Sequence, residues 1–107
     1  MKRNGELVSD EAIWSQAAID ALRNIHDFIA QDSPQGAKKV TQELVKLGQS
    51  LEIFPSRYPL EPLLAEETLQ YRFTVKWNYK LIYTVEETQV LIVLIFDTRQ
   101  LPEKLKL

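Results

Sequence analysis

The amino-acid sequence predicts an α+β fold: a short N-terminal strand, an antiparallel two-helix hairpin and then a three-stranded antiparallel meander. Three observations support this prediction. Two consecutive segments repeat apolar residues at helical spacing, three later segments have strand patterns, and the connection between the two groups holds three prolines within eight positions. The helix pair needs a surface on which to bury its apolar seam, and the sheet supplies that surface.

The N-terminal strand and the first helix are predicted from residues 7–31. Ile13 and Trp14 are the best β-formers of the segment 7–14, so we expect a short strand near them. Ser15 then serves as an N-cap, because its hydroxyl can accept a hydrogen bond from an early helical amide. The first helix is predicted over Ser15–Gln31, since apolar residues recur on one face at Ala18, Leu22, Ile25 and Ile29.

The second helix is predicted to begin at Pro34, with Ser33 as its cap, because proline suits the first helical position. Its apolar face is the most regular in the chain: Ala37, Val40, Leu44, Leu47 and Leu51. We expect the helix to end near Phe54, since Pro55 cannot continue it. The turn between the two helices is so short that they must lie antiparallel.

Three strands are predicted over Tyr71–Val75, Tyr79–Val85 and Val90–Phe96. The last is apolar at every position, which is typical of a strand buried on both faces. The first alternates apolar and polar residues, which predicts a sheet with one packed face and one hydrated face.

The turn between the first two strands decides which side chains share a face. A two-residue turn at Trp77-Asn78 would place Lys80 beside Phe73 on the apolar side. A three-residue loop over residues 76–78, with its asparagine in the left-handed region, avoids this placement and is the preferred prediction. With that loop, Arg72 and Lys80 lie together on the hydrated face, which the helices leave uncovered, and we expect Arg99 to lie on that face with them.

Length and composition predict one domain over residues 1–107. The chain is 45% hydrophobic and long enough to bury a core without cross-links, and it has no cysteine for disulfides or for a thiolate metal site. The N-terminal residues lack an apolar signal segment, and every apolar run is shorter than the roughly 20 residues of a membrane span. We therefore expect a cytoplasmic protein with no membrane contact.

The charge distribution argues against a general nucleic-acid binder. The net charge is −2; residues 1–70 carry seven Lys/Arg and eleven Asp/Glu, and residues 71–107 carry six and four. Phosphate backbones demand local positive charge. The charge distribution is therefore compatible with no more than a small basic patch on the sheet.

An ordered set of short motifs resembles a known family over Ile13 to Leu105. The set is Trp14-Ser15, the helix AAIDALRNIHDFIA, Ser33-Pro34, Phe54-Pro55, Tyr71-Arg72, NYKLIY at 78–83 and FDTRQ at 96–100. In this order they resemble the RelE/ParE superfamily of bacterial toxins from type II toxin–antitoxin systems. The resemblance implies the same α+β fold that the residue patterns predict.

The resemblance also implies partners. A toxin of this kind is neutralised by a cognate antitoxin whose C-terminal segment wraps it. RelE-like members are endoribonucleases that cut mRNA on the ribosome, whereas ParE-like members poison DNA gyrase without being nucleases. No cofactor and no metal is implied, and the sequence leaves open whether the toxin forms a homodimer or a hetero-oligomer with its antitoxin. We expect the antitoxin to cover exposed apolar side chains: Ile82, Leu101 and Leu105.

The candidate site residues are cations of the C-terminal half. Arg72, Lys80 and Arg99 match basic positions that RelE-like enzymes use in catalysis, and together with Lys104 they are the candidates for target binding. The same side chains also fit a simpler role, in which they hydrate the exposed side of a sheet. Asp97 is expected to pair with Arg99 or to cap the end of the last strand.

The catalytic set of the RelE-like enzymes is incomplete. Thr74 stands where the RelE pattern has a second lysine, and no tyrosine or histidine follows Tyr83. RNA cleavage through the 2′-hydroxyl needs a general base, a general acid and charge stabilisation. The sequence therefore favours a non-enzymatic, ParE-like toxin. The alternatives are a RelE-like endoribonuclease that uses Arg72, Lys80 and Arg99, and a degenerate, non-toxic module of the same fold.

Overall fold

A computed structural model describes residues 11–107 and confirms the predicted α+β architecture. The elements in order are β1 (Glu11–Trp14), α1 (Gln16–Ala30), α2 (Pro34–Ser50), β2 (Arg72–Lys76), β3 (Tyr79–Glu86) and β4 (Gln89–Asp97). Three short 3-10 turns lie at Pro55–Arg57, Pro62–Leu64 and Pro102–Lys104. Residues 7–10 of the predicted N-terminal strand segment fall outside the described residues.

Serine caps begin both helices, as predicted. The hydroxyl of Ser15 accepts a hydrogen bond from the amide of Ala18 at 3.1 Å, and that of Ser33 accepts one from the amide of Gly36 at 2.9 Å. Ser15 also donates to the carbonyl of Val93 at 3.0 Å. One side chain therefore starts α1 and ties it to β4.

Helix α2 ends at Ser50, four residues before the predicted end at Phe54. The guanidinium of Arg57 donates to the backbone carbonyls of Ser50, Ile53 and Phe54, which lie at or just beyond the end of the helix. Phe54 takes a left-handed conformation with φ of 49°. An arginine seven residues after Ser50 thus satisfies carbonyls that a helix end leaves without partners.

The sheet has the strand order β1-β4-β3-β2. Strand β4 lies in the middle, where β3 pairs with it antiparallel and β1 pairs with it parallel, Ala12 opposite Val90 and Trp14 opposite Ile92. This position explains why residues 90–96 of β4 are all apolar.

Both faces of the sheet carry a core, so the predicted hydrated face is wrong. The larger core lies under the helices and contains Ala18, Leu44, Leu51, Tyr79, Leu81, Tyr83, Val90, Ile92 and Ile95. A smaller core on the opposite face is formed by Leu64, Ile82, Phe96 and Leu105, with Tyr71, Phe73, Val93 and Leu94 packed against it. The irregular connection and the C-terminal segment supply Leu64 and Leu105, and in this way they cover the second face.

The β2–β3 turn is the two-residue alternative, so the preferred three-residue loop is wrong. Lys76 pairs with Tyr79, which leaves Trp77-Asn78 as the turn, and Trp77 rather than Asn78 takes positive φ, at 55°. Every β2 side chain therefore lies on the face opposite to the one predicted. Arg72 faces the helix side, opposite Tyr83, and Lys80 faces the second core.

No helix within residues 11–107 combines the length and the hydropathy that a membrane-spanning helix requires.

Candidate functional site

The structure separates the three cations that the sequence predicted to lie together. Because Arg72 pairs with Tyr83 across the strands while Lys80 pairs with Val75, their side chains leave opposite faces of the sheet. Arg99 lies beyond the end of β4, next to α1. The expectation of one uncovered face bearing Arg72, Lys80 and Arg99 is therefore wrong.

Arg72 is engaged in the fold on the helix side. Its Nη1 donates to the carbonyl of Tyr58 at 2.6 Å. Its cross-strand neighbour Tyr83 is fully buried and donates its hydroxyl proton to the carbonyl of Pro55. Burial raises the pKa of Tyr83 to about 12, so the phenol stays neutral at ordinary pH. Together these two side chains hold residues 55–58 against the edge of the sheet.

Lys80 is engaged on the second face. Its Nζ lies 2.7 Å from Oε1 of Glu61, whose side chain is fully buried, and 4.6 Å from the centre of the Phe73 ring. The other carboxylate oxygen of Glu61 accepts a hydrogen bond from the amide of Leu63 at 2.9 Å. Lys80 and Glu61 therefore attach the irregular connection to the sheet, which is a structural role that sequence reasoning did not identify.

Arg99 is the candidate cation that remains accessible beside a cleft. Its side chain is 66% exposed and forms a two-point ion pair with Asp97, Nε to Oδ1 at 3.0 Å and Nη2 to Oδ2 at 2.8 Å. The Asp97 carboxylate also accepts from the amide of Arg99 at 2.9 Å and from the side chain of Asn78 at 3.1 Å. Asp97 thus pairs with Arg99 and also caps the end of β4, so it fills both of the roles that were predicted as alternatives.

The guanidinium of Arg99 lies at the rim of a cleft of about 350 Å³ between α1 and the end of β4. The α1 wall of the cleft is formed by Ala21, Asn24, Ile25 and Phe28, and the sheet wall by Tyr79, Ile95, Asp97, Arg99 and Gln100. Phe28 is 67% exposed. The cleft therefore combines an apolar floor, an exposed aromatic ring and a fixed cation.

We predict that the side chain of Arg99 is the main influence on the titration of Asp97. Hydrogen bonds, first those from the Arg99 side chain and then those from the Arg99 amide and the Asn78 side chain, lower the pKa of Asp97 from 3.8 to about 2. A lowered pKa in the folded state means that Asp97 stabilises the fold above the pKa of the unfolded chain, and that this contribution is lost as the pH falls through about 2. In Arg99→Ala, an NMR titration should show the Asp97 carboxyl with a higher pKa; an unchanged pKa would contradict the assignment.

Of the three residues predicted to bind the antitoxin, two are buried and one is exposed. Ile82 is fully buried and Leu105 is 5% exposed, both in the second core, so the expectation that they are exposed is wrong for them. Leu101 is 59% exposed. Lys104, the fourth predicted target-binding cation, is also exposed, in the C-terminal segment.

Phe28 is the site residue that sequence reasoning missed. It lies four residues after Asn24 and seven after Ala21, on the flank of the helix rather than in its seam. The signal was present in the sequence, because Ala21 and Phe28 lie four residues before and three residues after Ile25 of the main apolar face and extend that face along its edge.

The fold and the site define the class of protein. A helix hairpin packed on an antiparallel meander, with an arginine fixed at the end of the last strand, agrees with the RelE/ParE superfamily that the motifs resembled. Residues 12–102 match the family described as the ParE toxin of the type II toxin–antitoxin system, parDE. The chain therefore belongs to the ParE toxin family, and the preference for ParE-like over RelE-like is confirmed.

A solved structure supports the fold. A chain from a chromosomal ParDE toxin–antitoxin system of P. aeruginosa superposes with a TM-score of 0.64 and 20% sequence identity, over 79% of this chain and 91% of that chain. At this identity the likeness concerns the fold alone. No curated protein matches the sequence.

Proposed function

We propose that this type II toxin acts by binding a protein target, DNA gyrase, without catalysing a reaction, and that a cognate antitoxin neutralises it. Membership of the ParE toxin family gives the class of toxin. The gyrase target and the antitoxin are the proposed part, and they follow what the family resemblance implies for ParE-like members.

The observation that carries the proposal is the separation of Arg72 from Lys80. Stabilising a scissile phosphate requires several cations directed at one point. Here the two side chains leave opposite faces of the sheet, one bonded to the Tyr58 carbonyl and the other to the buried Glu61. This geometry argues against the RelE-like alternative, in which Arg72, Lys80 and Arg99 would hold phosphate jointly.

The accessible features fit protein recognition instead. Arginine and aromatic residues dominate the energetics of protein–protein interfaces. Arg99 and Phe28 line the same cleft and are both more than half exposed. Of the four predicted target-binding cations, we retain Arg99 and the exposed Lys104 in the proposal.

Two assays with the purified toxin test the target. DNA supercoiling by gyrase should stall and cleaved gyrase–DNA complexes should accumulate, whereas ribosomes programmed with mRNA should give no toxin-dependent cleavage products. Cleaved mRNA with unaffected gyrase would favour the endoribonuclease. A well-expressed toxin that changes neither reaction and does not slow growth would favour the non-toxic module.

The antitoxin is tested separately. Co-expression with the small protein encoded beside the toxin gene should restore growth, and the two proteins should purify as one complex. Growth inhibition that persists when both are expressed would contradict neutralisation by that protein.

A further inference from the structure

The cleft between α1 and the end of β4 carries on its wall an aromatic ring, Phe28, that belongs to neither core of residues 11–107. Leu22 and Ile25 of α1 pack against the larger core, and Phe28 lies outside both cores of the described residues. Leaving an aromatic ring 67% exposed forgoes burial that is worth roughly 25 cal/mol per Å² of apolar surface. A partner that covered Phe28 would recover this free energy.

Arg99, the cation at the rim of the cleft, is held in place by Asp97 and still has an unused hydrogen-bond donor. Asp97 engages Nε and Nη2 of Arg99, and Nη1 makes no hydrogen bond to any residue within 11–107. A side chain fixed in this way loses little conformational entropy when it binds. Arg99 is therefore prepared to receive a second carboxylate.

We propose that this cleft is the docking site for a segment of the toxin's target that presents a carboxylate beside an apolar side chain. The carboxylate pairs with Nη1 of Arg99, and the apolar side chain enters between Phe28 and the floor formed by Ile25 and Ile95. The inference rests on the proposed function, because the partner is taken to be the gyrase target.

Size and charge select this occupant. A volume of about 350 Å³ lies at the lower end of the range for ligand pockets, so it accepts one or two side chains rather than a folded surface. A second copy of the toxin on this cleft would bring together two chains of net charge −2, with Asp27 of each α1 69% exposed. Like charges brought together in that way oppose self-association.

The test compares binding and poisoning of purified gyrase by four single variants of the whole toxin. Phe28→Ala and Arg99→Ala should each weaken gyrase binding about tenfold or more, with the same loss in cleaved-complex formation, since central aromatic and arginine contacts carry most of an interface's free energy. Both side chains are exposed, so thermal unfolding should change little.

The matched controls are Phe54→Ala and Arg23→Ala. Phe54 is 76% exposed just beyond the end of α2, and Arg23 is 63% exposed in its pair with Asp20. Neither lines the cleft. Both variants should bind gyrase as the wild type does.

The outcomes separate the inference from the proposed function. If wild-type toxin neither binds nor poisons gyrase, the proposed function fails, and the inference fails with it. If the wild type poisons gyrase and Phe28→Ala and Arg99→Ala do so equally well, only the cleft assignment is overturned. It is overturned too if these variants keep gyrase binding but lose the antitoxin, or if they dissociate a wild-type dimer without affecting gyrase.

Discussion

Glu61→Ala is expected to destabilise the toxin by about 3 kcal/mol, which makes it one of the most damaging single changes on the sheet's second face. The substitution removes the partner of Lys80, whose side chain is only 16% exposed, and leaves an uncompensated cation beside Phe73. It also removes the acceptor of the Leu63 amide. The measurement is the free energy of unfolding from urea titration monitored by circular dichroism.

Glu43→Ala is the matched control for this prediction. Glu43 is 32% exposed and pairs with Lys46 at 3.4 Å and with Lys76 at 3.8 Å, both of which are more exposed than Lys80, so its loss should cost about 1 kcal/mol or less. Replacing both partners, in Glu61→Leu with Lys80→Met, should recover a large part of the lost stability, because no charge is then left buried. A loss of stability below about 1 kcal/mol in Glu61→Ala would contradict this prediction, because it would show that water solvates the Lys80 ammonium when Glu61 is absent.

Gly48→Val is expected to cost between about 2 and 3 kcal/mol, because helix α2 packs so closely on the sheet at this glycine that a side chain has no room. A β-carbon at Gly48 would lie 2.5 Å from Cζ2 of Trp14 and 2.9 Å from Cδ1 of Ile92. Gly48→Ala should also destabilise, although alanine favours a helix over glycine by about 1 kcal/mol. Thermal and urea unfolding of both variants provide the measurement.

The neighbouring substitution Gln49→Val controls for helix propensity. Gln49 is exposed on the same helix, so valine there should cost about 0.5 kcal/mol. Combining Gly48→Ala with Trp14→Leu should give a favourable coupling energy in a double-mutant cycle, since the smaller side chain makes room. Stability that rises in Gly48→Ala alone would contradict the close approach.

The helices could be predicted from sequence because their signals are local. Ser15 and Ser33 cap the two helices where the sequence placed the caps, and Pro34 occupies the first turn of α2. The unbroken apolar run of β4 correctly predicted a strand buried on both faces, although it could not show which segments cover it.

The register of β2 and β3 could not be predicted, because it depends on one backbone conformation. Tryptophan is rare at positive φ, yet Trp77 takes it, and the resulting one-residue shift moves Arg72 to the helix side. The three-residue loop was preferred because it kept Lys80 away from Phe73. In the structure that contact is favourable, since the ammonium lies over the ring and Glu61 neutralises its charge.

The candidate site was predicted only in part. Arg99 and its pairing with Asp97 are local and follow from residues two positions apart. The cleft depends on how α1 lies over the end of β4, which is a long-range packing property, so the contribution of Phe28 required the structure. The partners of Arg72 and Lys80, Tyr58 and Glu61, belong to an irregular connection whose path has no periodic signal.

The parallel pairing of β1 with β4 has a consequence for synthesis of the toxin. Trp14 pairs with Ile92, and Ser15 bonds to Val93, 78 residues later in the chain. Contacts between segments so far apart in sequence form late, after the intervening chain is available. A nascent chain on the ribosome cannot complete its sheet until β4 has been translated, and a product that stops before β4 would leave β1 without the strand it pairs with.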